Sequence, residues 1–156
     1  MTAEKIIIDA SGCSLGRLAS FAAKQTLSEN EVIIFNAEKA LISGKKEKIF
    51  KTRKKQYDAK SQVNPWRFGP KRPKNPDRFV RRVIRGMLPW TTTRGKKAFK
   101  RVMVYMGKPE KEIRKKHHID ISKSKLADVS SMKKHYDVFV TVGELCKFLG
   151  GTNGRS

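Results

Sequence analysis

The 156-residue chain carries 36 Lys plus Arg against 14 Asp plus Glu, a formal charge of +22, and 38% of its residues are hydrophobic. That length suits one domain of ordinary size, and so large a positive surplus repels itself unless a polyanion offsets it. The longest apolar runs (6–8, 32–35) are too short to span a bilayer, and no basic-then-apolar leader reads as a secretory signal. Cys13 and Cys146 form no disulfide framework and read as reduced, buried thiols of a cytosolic protein.

Residues 5–9 (KIIID) read as a short buried strand, followed by a turn at Ala10-Ser11-Gly12. Leu15, Leu18, Ala19 and Ala22 then recur at helical spacing, with Ser14 placed to cap the first turn. Residues 32–35 form a second β-rich run closed by Asn36. Strand, helix and strand within about 30 residues predict a parallel pair joined by a right-handed crossover. Ala40-Leu41-Ile42 fits either a short strand or a turn.

The charge is not spread evenly. Residues 1–44 carry 4 basic and 5 acidic side chains, residues 45–101 carry 21 and 3, and residues 102–156 carry 11 and 6. The balances of −1, +18 and +5 mark the middle as the polyanion-binding segment. It opens with Lys45, Lys46, Lys48, Lys51, Arg53, Lys54, Lys55 and Lys60, among which Ile49, Phe50 and Tyr57 supply a thin apolar face of a basic helix. Residues 61–75 contain Asn64-Pro65-Trp66-Arg67-Phe68-Gly69-Pro70-Lys71-Arg72-Pro73-Lys74, which predicts extended chain that is mobile without its partner. Trp66 and Phe68 either stack on unpaired bases or pin this loop to the protein itself, while Arg67, Lys71, Arg72 and Lys74 suit phosphates.

Residues 76–88 predict an amphipathic helix. Asn75 caps it, Pro76 fits its first position, and Asp77 suits its positive end. Phe79, Val80, Val83, Ile84 and Met87 share one face, and Arg78, Arg81, Arg82 and Arg85 the opposite one. These arginines lack acidic partners at i+4 and are expected to form an outward row facing phosphates. After an ordered corner at Leu88-Pro89-Trp90, the basic tract continues through Arg94, Lys96, Lys97, Lys100 and Arg101, with Ala98 and Phe99 marking a short helix.

Residues 102–105 are a further strand candidate, ended by Gly107 and Pro109, and residues 136–142 alternate as a strand. Thr141 and Glu144 have capping-box spacing before a helix through Leu145, Phe148 and Leu149 that ends at Gly150-Gly151.

Catalytic chemistry finds little support. Gly12 and Gly16 give only G-x-x-x-G, a packing feature rather than a dinucleotide site. Ser43-Gly44-Lys45-Lys46 lacks the upstream glycine and the Ser or Thr of a phosphate-binding loop. The acids of the middle, Glu47, Asp58 and Asp77, have no metal-ligand spacing. His117-His118, His135 and the cysteines lack zinc spacing, so no metal, cofactor or catalytic residue is expected.

Several segments resemble a known family. They are Ile8-Asp9-Ala10, the run from Leu15 to Ser20 (LGRLAS), Asn36-Ala37-Glu38, Ile42-Ser43-Gly44, Asn64-Pro65 and Gly69-Pro70. Arg85-Gly86-Met87-Leu88-Pro89, Arg94-Gly95-Lys96 and Tyr105-x-Gly107-x-Pro109 continue the series. Together they resemble the universal large-subunit ribosomal protein L-thirteen family over about residues 5–109, and the Arg-Gly-Met-Leu-Pro block is the most specific piece. The segment Val140 to Leu145 (VTVGEL) and Trp90 lean toward the archaeal type, although Thr91-Thr92-Thr93 stands where related archaeal sequences carry more lysine.

The resemblance implies a three-layer α/β/α fold with a small, mainly parallel sheet of about four strands. It also implies a structural, non-enzymatic part of the large ribosomal subunit, cytoplasmic, binding large-subunit ribosomal RNA, supporting assembly and meeting other ribosomal proteins. The whole chain is expected to form one such domain, with segment 45–101 inserted between core elements. Composition alone leaves two rivals: a free-standing nucleic-acid-binding regulator and a nucleotide-using enzyme.

Overall fold

The computed structural model describes residues 4–59, 62–64, 67, 69, 72–119, 126–133 and 136–151. Strand β1 (Lys5–Asp9), helix α1 (Leu15–Leu27) and strand β2 (Glu31–Phe35) form the expected βαβ unit, and the two strands pair in parallel from Lys5↔Glu31 to Asp9↔Phe35. Strand β4 (Val102–Val104) joins β2 on its other side, also in parallel, giving the order β1-β2-β4.

The sheet is buried on both faces, as a parallel sheet requires. Ile8, Val32, Ile34 and Val102 enter one core with Leu18, Ala19 and Ala22 of α1. Helices α3 (Pro76–Met87) and α4 (Thr93–Lys100) add Phe79, Val80, Ile84 and Ala98 to the same core. The alternate strand residues Ile7, Ile33 and Phe35 are equally buried but stand outside that cluster, as does Ile113 of helix α5 (Glu110–His117). The free edge of β1 is covered by a chain segment whose Ala127 N–H donates to the Ile7 carbonyl (2.9 Å).

Leu41–Ser43 settles as strand β3, paired antiparallel with β5 (Phe139–Thr141). Among the described residues the mainly parallel sheet has three strands, with a further parallel bridge from Ile7 to Leu126, and β3 and β5 form a separate antiparallel pair. The strand expected over 136–142 is confined to 139–141, because residues 137–138 bend before it and Thr141 starts helix α6 (Val142–Phe148) after it. Its side chain accepts from the Glu144 N–H (3.2 Å), and the Glu144 carboxylate accepts from the Thr141 N–H (3.3 Å).

Two local expectations fail. Ser14 sits at the N-cap of α1, but its hydroxyl makes no cap bond and instead accepts from Tyr136 Oη at 3.0 Å. Gly12 and Gly16 are not packing glycines. A Cβ built at either meets nothing within 4 Å, and Gly12 is needed for its left-handed backbone (φ +70°). At the same end of the strands Asn36, also left-handed, donates from Nδ2 to Asp9 Oδ1 at 2.9 Å. Burial tends to raise the Asp9 pKa, but the bonds from Asn36 and Ser11 outweigh it and leave the carboxyl below its ordinary value. No described helix is long and apolar enough to cross a membrane.

Candidate nucleic-acid interface

Helix α2 (Lys46–Asp58) buries no residue completely. It is held by three half-buried side chains: Ile49, Phe50, whose ring stacks on Phe148 of α6 at 4.4 Å, and Tyr57, whose hydroxyl donates to the Pro73 carbonyl. Burial raises the Tyr57 hydroxyl pKa against the lowering pull of the Arg53 and Arg72 charges. Lys45, Lys46, Lys48, Lys51, Lys54 and Lys55 are all exposed along the helix, and only Lys46 leans on a ring, 5.5 Å from the Phe50 centroid. Arg53 differs: it is half-buried, with its guanidinium over Phe79 at 5.5 Å and its Nη1 donating to Gln56 Oε1 at 3.1 Å.

Helix α3 forms where its start signals predict, with Asn75 at the N-cap and Pro76 at the first position. Its four arginines do not make one outward row. Arg78 and Arg82 are exposed, whereas Arg81 lies over Phe99 at 4.6 Å and Arg85 over Trp90 at 3.9 Å. Trp90 and Phe99 meet edge to face at 5.2 Å, so two guanidiniums and two rings make one cluster. A helical wheel places Arg81 and Arg85 away from the apolar stripe; it does not show that α4 and the corner before it close over that side.

The corner itself is ordered. Thr92 N–H and Oγ1 both donate to the Pro89 carbonyl (3.1 and 2.9 Å), and Thr92 Oγ1 accepts from the Gly95 N–H (3.2 Å), capping α4. Thr92 is thus a structural cap here. Gly95 is required because a Cβ there would stand 2.1 Å from the Pro89 oxygen. From α4, Arg94 reaches the Leu27 carbonyl (3.4 Å), and the neighbouring Arg101 reaches that of Thr26 (3.5 Å), completing the end of α1. Arg101 also pairs with Glu29 at 3.5 Å, the one ion pair formed between described residues. Lys96, Lys97 and Lys100 are exposed.

The structure therefore sorts the expected contact residues. Arg67, Arg72, Lys74, Arg78, Arg82, Arg94, Lys96, Lys97, Lys100 and the α2 lysines are exposed, while Arg53, Arg81, Arg85 and Arg101 are half-buried and engaged within the protein. Trp66, Phe68 and Lys71 lie outside the described residues, as do Ser61, Pro65 and Pro70 of the extended loop assigned to 61–75. Within that stretch Arg67 has helical backbone, its N–H donating to Asn64 O and Oδ1 (3.1 and 3.2 Å), where irregular chain was expected. Gln56 and Gly86, absent from the expected contact residues, and Tyr57, expected only on the apolar face of α2, border the space between α2 and α3. The available signal was Gly86 itself, a helix-interior glycine four residues after Arg82.

Burial raises the Cys13 thiol, and burial with the nearby Asp77 charge pushes Cys146 up to about 12, so both are protonated near neutrality. Among the described residues no three His, Cys, Asp or Glu side chains gather as a metal site requires, and His135 lies outside them.

Comparison with known proteins places this arrangement. The profile of the family described as Ribosomal protein L13 matches residues 3–111. The large ribosomal subunit protein uL13 of Methanocaldococcus jannaschii is 43% identical over 144 residues, covering 92% of this chain and 96% of that protein. Its counterpart in Archaeoglobus fulgidus is 40% identical over 144 residues (92% and 86%), and that of Sulfolobus acidocaldarius 38% over 148 (95% and 95%). These similarities extend beyond residue 109, where the strong motif resemblance ends. A basic surface on an α/β frame, matched over most of its length by archaeal relatives, makes this chain a member of the ribosomal protein L13 family.

Proposed function

We propose that the protein is a structural, non-catalytic constituent of the large ribosomal subunit that binds large-subunit ribosomal RNA, supports assembly and lies among other ribosomal proteins in the cytoplasm. The observation that carries this is the +18 balance of residues 45–101, presented on α2, α3 and α4 with no ion pair between described residues inside the segment. Cations held this way release the counterions of a phosphate backbone, and phosphate contacts position a protein without reading sequence. Arg78, Arg82, Lys96, Lys97 and the α2 lysines make those contacts. Arg81 and Arg85 stiffen the surface from behind. The chain acts as one unit, segment 45–101 being its RNA-binding part and the flanking α/β frame its support.

Sedimentation of native extract at low and high salt tests this. Co-migration with the large subunit through a moderate salt wash is the expected outcome; recovery only at the top of the gradient contradicts it.

A further inference from the structure

A groove of about 260 Å³ lies between α2 and α3, and its nine lining residues include three arginines and no acid. Arg53 comes from α2, Arg72 from the chain before α3, and Arg82 from α3 itself. Arginines from three segments line one space, which gathers positive charge there in the free protein. The site is also built rather than incidental. Arg53 is fixed by its bond to Gln56 and by the Phe79 ring beneath it, and the Tyr57 hydroxyl ties the segment carrying Arg72 to α2 through the Pro73 carbonyl.

Gly86 adds an independent observation. Glycine inside a helix is less favourable than alanine by about 0.5–1 kcal/mol, and a glycine usually answers to some neighbour. At Gly95 and Gly151 the protein supplies that neighbour, since a Cβ would stand 2.1 Å from the oxygens of Pro89 and Lys74. At Gly86 a Cβ meets no described residue within 4 Å, and the backbone is ordinary helix. Among the described residues none accounts for glycine at the rim of the arginine groove; close approach by a group from outside does.

We propose that this groove is a discrete anion site, in which Arg53, Arg72 and Arg82 grip one backbone phosphate of the bound RNA and Gly86 leaves room for the strand to pass. The inference rests on the RNA-binding reading and names where one phosphate is held.

The test is a titration of the full chain with inorganic phosphate, followed by NMR of the arginine Nε–H signals. Saturation at one site is expected, with the Arg53, Arg72 and Arg82 signals moving on a common curve. Arg82→Gln should weaken binding roughly tenfold, as loss of a charge-assisted phosphate contact does. Gly86→Leu should weaken it similarly with no change of charge, while its thermal midpoint holds or rises because leucine is the better helix former. A Lys115→Gln/Lys116→Gln double variant, on α5, should bind as the parent does. Unsaturable shifts spread over all arginines, or parental phosphate binding by Gly86→Leu, overturn the proposal.

Large-subunit ribosomal RNA is titrated in parallel to separate a strand from a free ion. Gly86→Leu that loses phosphate binding but keeps full RNA affinity makes the groove a free-phosphate site and overturns the assignment to RNA. The two proposals also fail separately. A protein that saturates with phosphate here yet never sediments with the large subunit loses the ribosomal role only. One that sediments with the subunit but shows no saturation loses only the groove.

Discussion

Helices α2 and α3 have nearly equal length, 13 and 12 residues, and both are dense in positive charge, yet they are held in opposite ways. Helix α3 sinks Phe79, Val80 and Ile84 into the core and lays two of its arginines on aromatic rings. Helix α2 buries nothing fully and leaves its lysines in solvent. One is a structural member that happens to be basic; the other is a charged arm resting on Phe50 and Tyr57. Charge content does not separate the two, because the depth of the apolar stripe decides which role a basic helix takes.

The contrast can be broken most forcefully in the core. Ile84→Ala, at a fully buried site, should cost about 2–5 kcal/mol, whereas Ile49→Ala on α2 should cost about 1 kcal/mol. Urea unfolding of the two variants checks this, and equal losses would erase the distinction.

Gly95→Ala tests whether the corner after α3 is as tight as its geometry says. Its new methyl would press on the Pro89 carbonyl, so a loss of about 1–3 kcal/mol is expected, read as a lowered thermal midpoint. An unshifted midpoint would mean the corner is slack.

A smaller effect sharpens the division within α3. Arg81→Gln and Arg85→Gln should each lose about 0.5–2 kcal/mol of stability with the ring contact. Arg78→Gln and Arg82→Gln should stay within about 0.5 kcal/mol of the parent while each lowers the salt slope of RNA binding by about 0.7–0.9. The reverse assignment, with exposed arginines stabilising and ring-bound ones setting the slope, would overturn the proposed contact set.

The smallest effect concerns pH. Burial, with the charges of Lys5, Lys116 and His118, holds the His117 pKa below 6.5 despite Glu31, and its Nε2 lies 2.9 Å from Tyr105 Oη. As pH falls through 6.5 the unfolded chain takes up the proton first, so stability declines until the folded-state value is passed and then levels. Unfolding free energies between about pH 5 and 8 should slope less in His117→Gln than in the parent; parallel curves would remove His117 from the balance.

Much of this was legible in the sequence for physical reasons. The βαβ unit, α3 and the capping box at Thr141 are written in local periodicity and short-range hydrogen bonding, which a linear chain displays. What was hidden depends on partners distant in sequence. Ser14 looked like a cap until Tyr136 claimed its hydroxyl, and the four arginines looked equivalent until Phe99 and Trp90 arrived beneath two of them. Met132 is almost fully buried and its carbonyl accepts from the Ser14 N–H, yet it sits in a stretch without periodicity that could announce it. At the candidate interface the residue types were legible, while the groove lined by Arg53, Arg72 and Arg82 needed three segments to be brought together.

The strand order β1-β2-β4 also has a consequence for how the molecule is made. The central strand waits for a neighbour separated from it by 66 residues, and the whole of the basic segment lies between them. The sheet closes only when that self-repelling loop is drawn in, on top of the ordinary entropy of closing it. Added salt, which shortens the reach of the repulsion from about 10 Å at 0.1 M to about 3 Å at 1 M, should accelerate the closing step. On the proposed reading, the RNA that the finished surface holds would also be the counterion under which that surface comes together.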